Sequence, residues 1–470
     1  MFGSAGAITW AIRGTSGWGG VDGTIIPGLT FGIIWFYLSL RKNFDSRSII
    51  LWLGLGIALG GEIGYGQYVG WIRNIFSYGN EKLIVDSIHG YIWFVICGIG
   101  WAAPGAIILG WVIESDVTFK NWIVRALLLA LILIILFSPS TIDWLSEIFV
   151  EKGFTFLFPN FDSGIYSNID KNLERTLYTN TQNFAVLIWF IISLFMSLIH
   201  RERTTFQIGV ILGLGFGLGF MQSALWTIGY GLNPNFIDWW KIWELNSGFN
   251  IGILYAIIFF IFHNKINQSR NNKKISEKTI TVFQAISGFT LLYFVGFEYF
   301  QLINTIIAFL FLIVLLSLLL NEKDEIKIKE KRINIVFHFS IFYLLYILFH
   351  GVTERLGVVF ELFYEDAVDQ YSWPLERIVL FVPFLISILF YLFFKTKKIF
   401  SGYYFFEIDS ETIIEWNRKL INLTSLITLI GIISIWPSKI SIFYGFFQLI
   451  AIICLIQIDK IDRLKTKTKL

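Results

Sequence analysis

Cysteine is almost missing from this chain: Cys97 and Cys454 are the two it has in 470 residues. A multi-disulfide framework is excluded, and thiol catalysis and structural metal sites lose their usual ligands. Even one bridge is disfavoured, because the two cysteines sit at depths that differ by about 8 residues, or ~12 Å at helical rise. Histidine is scarce too, with five residues and no pair at the helical spacing that zinc or haem requires. No GxxxxGK[ST] loop, no HExxH and no arginine ladder occurs, and residues 141–183 lack a complete EF-hand spacing. No cofactor or metal is therefore expected. Charge of one sign is absent as well: 37 basic and 34 acidic residues nearly cancel. The basic loops then read as topology signals beside anionic lipid headgroups, with no nucleic-acid partner. A cleavable signal peptide is not expected, since Met1 leads into a glycine-rich apolar stretch without a basic flank.

What fills the chain is apolar sequence. Runs of roughly 17–25 residues, each long enough to cross a ~30 Å hydrocarbon core, recur about thirteen times. They lie near 23–40, 49–70, 91–112, 121–139, 184–199, 207–228, 246–262, 280–297, 302–320, 334–350, 377–394, 420–436 and 440–457. The expected fold is all-α and polytopic. Lysine and arginine crowd every second gap, for example Arg41, Lys42 and Arg47, then Arg201 and Arg203, then Lys265 to Lys278. The intervening gaps are poor in them. By the positive-inside rule the crowded side is cytoplasmic, which puts the N-terminus outside and the C-terminus inside. Abundant Ile, Phe, Lys and Asn suits an AT-rich bacterial genome, so the expected home is a bacterial cytoplasmic (inner) membrane.

Glycine and tryptophan divide the chain near the basic loop 263–279. Most of the 40 glycines and 18 tryptophans precede it, while a Phe/Ile/Leu-rich scaffold follows. Inside the first part, Gly54-Leu55-Gly56-Ile57-Ala58-Leu59-Gly60 returns 159 residues later as Gly213-Leu214-Gly215-Phe216-Gly217-Leu218-Gly219. A parallel duplication is expected. Its units are a first transmembrane repeat over 23–139 and a second over 184–297. Around them lie a broken or re-entrant glycine-rich segment at 1–22 and an extracytoplasmic excursion at 140–183. A scaffold at 298–470, with an acidic outer loop at 351–376, completes the chain.

Candidate site residues are the polar groups that lipid would penalise. Glu62 falls within an apolar run among Gly60, Gly61, Gly64 and Gly66, which leave room beside it; Gln67 follows further out. Arg13 and Asp22 lie in the glycine-rich start, where free N–H groups suit an anion. Gln222 is the second-repeat counterpart of Glu62. Trp226, Trp243, Asn246 and Asn250 are expected to line an outer vestibule, where flat rings cover C–H faces and amides fix hydroxyls. His350, Glu354 and Arg355 add acid, base and cation from a later outer loop. The expected function is a secondary transporter or permease for a small polar solute, sugar-like or zwitterionic/anionic, with its site in the outer half of the membrane. Two alternatives stand beside it. One is an integral-membrane enzyme acting on a lipid-linked or extracytoplasmic substrate, with Asp22, Glu62, His89, His350 and Glu354 as acid/base groups. The other is a non-transporting subunit that meets other membrane subunits through its Phe-rich spans.

Overall fold

A computed structural model describes residues 1–12, 20–40, 49–60, 66–114, 171–272 and 438–467, with a few isolated positions between them. These residues are mostly helical. In chain order the helices are α1 (Phe2–Ile12), α2 (Gly20–Leu40), α3 (Ile49–Gly60), α4 (Gly66–Ile72) and α5 (Ser87–Ile113). They continue with α6 (Lys171–Ile199), α7 (Arg203–Leu232), α8 (Trp239–Asn272) and α9 (Ser438–Lys467). Among the described residues five helical stretches are long and apolar enough to cross a membrane: Ser87–Trp111, Leu173–Ile199, Arg203–Leu232, Trp239–His263 and Lys439–Ile461. Burial sorts them. The apolar window of α5 is 89% buried and that of α9 28%, so α5 is the hub and α9 an edge.

Small residues set how closely the helices pack. Gly98 of α5 faces Gly217 of α7, and a Cβ on Gly98 would stand 2.9 Å from the Gly217 Cα. Gly110 and Thr205 meet nearer the other end of the same pair, which makes α5 and α7 antiparallel. Gly56 of α3 rests on Gly105 of α5. On α1, Gly6 abuts Gly248 of α8, and Phe2 abuts Gly252, so these two helices also run antiparallel. Without a hydrophobic force between helices in lipid, such seams supply the van der Waals contact that holds a bundle together. Aromatic rings fill the remaining volume: Trp10 packs on Trp101 at 5.1 Å and on Phe216 at 5.3 Å.

Several boundaries differ from those read off the sequence. Within the run 49–70 the described residues form α3 and α4, and 61–65 between them lie outside the described residues. In the glycine-rich start, residues Phe2–Ile12 form a regular helix, 13–19 lie outside the described residues, and α2, described from Gly20, carries Pro27 inside it. Helix α6 starts at Lys171, well ahead of 184, because Thr176, Asn180 and Asn183 are buried against the bundle and not solvated. An antiparallel hairpin, β1 (Ile75–Tyr78) with β2 (Glu81–Ile84), departs from an all-α chain. Its two-residue turn places Gly79 at φ +53°, which glycine adopts without strain. Run α7 is not uniform: Gly209–Leu214 is a π-helical turn and Leu225–Ile228 a 3₁₀ turn. Its ends sit near Glu114 and near the hairpin; the latter is called the hairpin end below.

The α1–α8 seam makes the first prediction. Valine at Gly248 would drive its side chain into the Gly6 carbonyl and the Trp10 side chain. Overpacking of this kind costs about 1–3 kcal/mol or more, so Gly248→Val should lower the melting temperature in detergent by several degrees. Gly445→Val, where no described residue lies within 4 Å, should leave it unchanged.

Candidate functional site

At the hairpin end the first turn of α8 gathers charge inside the bundle. Asp238 caps the helix, accepting from the Lys241 N–H at 3.1 Å and from the Tyr230 hydroxyl at 3.3 Å. One turn on, the Lys241 ammonium meets the Glu244 carboxylate at 2.5 Å, and both side chains are almost fully buried. The second Glu244 oxygen accepts from the Trp240 indole N–H at 2.9 Å. Lys241 Nζ also donates to the Ala11 carbonyl at 3.0 Å. Ala11 lies at the C-terminal side of α1 as described, where a cation complements the helix dipole. At the opposite end Glu114 does the reverse. Its carboxylate accepts from the Thr205 N–H at 2.8 Å and the Thr205 hydroxyl at 3.1 Å, an anion at the start of α7.

A different face of α8 turns toward α7 and carries carboxamides. Gln222 Nε2 donates to Asn246 Oδ1 at 3.3 Å, Asn246 Nδ2 to Asn250 Oδ1 at 3.2 Å, and Asn250 Nδ2 to Gln222 Oε1 at 2.9 Å. The three side chains thus close a ring. Two further bonds pin it: Asn250 Nδ2 to the Gly219 carbonyl at 2.8 Å, and the Trp226 indole to Asn246 Oδ1 at 2.9 Å. Behind the ring, the Ser223 and Ser247 hydroxyls meet at 2.6 Å in full burial. The ring itself is open on its outer side, with Gln222 and Trp226 exposed and Asn246 and Asn250 half-buried. After these bonds the carboxamides keep two N–H groups and two acceptor lone pairs for another molecule. No charged side chain takes part in the ring's bonds.

The structure therefore brings together Gln222, Trp226, Asn246 and Asn250, on two helices. Trp243 is not with them. It is fully buried, packed on Phe94 at 5.5 Å and Trp240 at 4.8 Å, because its position on α8 faces the core and not the vestibule expected for it. Asp22 and Gln67 lie in α2 and α4, with side chains outside the described residues. Arg13, Glu62, His350, Glu354 and Arg355 also lie outside them. Sequence reading missed the pairing of Lys241 with Glu244. Their i, i+3 spacing on one helix face was the available signal. It also missed Tyr68, Asn180 and Asn183, although Thr176, Asn180 and Asn183 recur at helical spacing.

Removing one partner of a buried ion pair strands the other and costs about 3–5 kcal/mol, whereas replacing both with apolar residues is close to neutral. Lys241→Met and Glu244→Leu should each destabilise the protein strongly. The double variant should recover most of the loss, as read by thermal unfolding in detergent.

Compared with known protein families, curated proteins and solved structures, the chain matches none, so its functional reading rests on its own residues.

Proposed function

We propose that this protein is a multi-pass permease of a bacterial inner membrane that binds a small, uncharged polar solute at the carboxamide ring of α7 and α8. The observation that carries the reading is the ring itself. Three neutral amides, closed by hydrogen bonds and flanked by Trp226, keep unused donors and acceptors on an open face within apolar helices. Such groups are costly against lipid and useful against hydroxyls. The indole offers a flat surface for the C–H face of a sugar or polyol. Lacking charge, the ring favours uncharged solutes over the zwitterionic and anionic ones that the sequence left open.

In the same reading the chain has about thirteen spans, with the hairpin end outside and the C-terminus cytoplasmic. The first and second transmembrane units are parallel repeats. Support comes from the glycine runs themselves, Gly54 to Gly60 and Gly213 to Gly219, which lie 159 residues apart. In each unit the first helix then lies antiparallel to the glycine-rich one, Gly32 beside Ile50 in α2 and α3, Gly213 beside Phe190 in α7 and α6. The π and 3₁₀ turns of α7 supply places where a helix can flex, as non-α turns at functional sites do.

Uptake into proteoliposomes tests this. With the purified chain, radiolabelled myo-inositol, glucose and glycerol should include at least one solute taken up faster than by protein-free liposomes. Asn250→Leu, which breaks two bonds of the ring, should cut that uptake about tenfold or more, as loss of ~1.4 kcal/mol of binding requires. Uptake of that solute that is untouched by Asn250→Leu and Gln222→Leu would refute the site.

A further inference from the structure

A second polar cluster lies deeper, where α4 of the first unit meets α6 of the second. The Tyr68 hydroxyl donates to Asn180 Oδ1 at 2.5 Å and accepts from Asn183 Nδ2 at 3.2 Å. Asn183 Nδ2 also donates to the Thr179 carbonyl at 3.0 Å. Tyr68, Asn180 and Asn183 are at most 2% exposed. The Tyr68 ring stacks on Trp93 at 5.8 Å, lies tilted against Trp71 at 5.5 Å and meets Phe94 edge-on at 5.9 Å. Thr176 and Thr181 are buried on the same helix.

One member of this cluster is unfinished. The carboxamide nitrogen of Asn180 is buried and has no hydrogen-bond partner among the described residues. A buried donor left unpaired costs about 1–3 kcal/mol, and most such groups in folded proteins are paired with protein, ordered water or a ligand. Helix packing does not call for it: leucine or threonine would fill the position without an orphaned N–H. Each side chain in the cluster is uncharged, as in the ring. Helix α4 also packs against the 3₁₀ turn Leu225–Ile228, which carries Trp226 of the ring, so the two clusters lie on either side of one irregular turn.

We infer that Asn180, held by Tyr68 and Asn183, is the anchor of a second, enclosed binding station that takes a hydroxyl or carbonyl oxygen of the same uncharged solute. Asn180 Nδ2 donates to that oxygen. Tyr68 fixes the amide so that its nitrogen, and not its oxygen, faces the solute. Asn183 in turn fixes the tyrosine hydroxyl. The inference rests on the permease reading and extends it: a solute bound first at the open ring has a buried station to enter.

Equilibrium binding of radiolabelled myo-inositol, glucose and glycerol to the full-length protein in nanodiscs counts the stations. Two solute molecules per chain are expected for a transported solute, falling to one with Asn180→Leu and to one with Asn250→Leu. Tyr68→Phe keeps the aromatic packing and removes the hydroxyl; it should weaken one of the two sites about tenfold while leaving the melting temperature close to that of the parent. One solute per chain, lost in Asn250→Leu and unaltered in Asn180→Leu and Tyr68→Phe, would overturn the buried station and leave the ring standing. An experimental density map at the solute-saturated protein that shows only an ordered water on Asn180 would overturn it too. No binding of any of the three solutes would remove both readings together.

Discussion

The approach of α1 to α8 is the contact on which the rest of this structure depends. Gly6 and Gly248 bring two backbones together at a distance that no side chain permits. That approach carries the end of α1 to the first turn of α8, where Lys241 bonds the Ala11 carbonyl. One face of α8 is then fixed by α1, and its other face is presented to α7 with Ser247, Asn246 and Asn250 aligned to Ser223 and Gln222. Loosening the seam would move the amides as a unit. Packing and chemistry therefore share one helix.

A second constraint explains why charges appear where they do. Inside apolar helices each backbone group at a helix end needs a partner from the protein, because lipid offers none. This chain places charges of opposite sign on backbone groups: lysine on the Ala11 carbonyl of α1, glutamate on the Thr205 N–H at the start of α7. The buried lysine then needs its own anion, which Glu244 supplies, and that carboxylate needs a donor, which Trp240 supplies. Each polar group thus requires the next. The carboxamide ring differs. Its internal bonds hold its shape yet leave donors and acceptors over, which a purely structural bridge would not need. That surplus separates a binding surface from a helix-end cap.

Much of this was legible in the sequence. Apolar length alone located the spans of α5, α6, α7, α8 and α9; Trp226, Asn246 and Asn250 stood out as outer-end polar and aromatic residues, and Gln222 as the polar residue after the second glycine run. What was not legible depended on which way a helix faces. Trp243 lies between Asn246 and Trp240 in sequence, but its direction on α8 sends it into the core. Thr176, Asn180 and Asn183 looked like loop residues because they are polar; α4 and its Tyr68, distant in sequence, make them interior. Lys241 resembled an ordinary loop cation, but its ammonium bonds the Ala11 carbonyl of α1 and the Glu244 carboxylate. The hairpin at 75–84 has polar and apolar residues in no clear alternation, with Phe76 and Val85 as its buried anchors.

The central claim is that the carboxamide ring opens to water as part of a solute path, and thiol accessibility tests it most directly. With Cys97 and Cys454 replaced by alanine, a cysteine at Met221, beside the ring, would be exposed to a charged, membrane-impermeant thiol reagent in intact proteoliposomes. The account predicts ready modification, slowed when the transported solute is present. Modification only by a lipid-soluble reagent, with no protection by any solute that the protein binds, would show that the ring faces the bilayer and would contradict it.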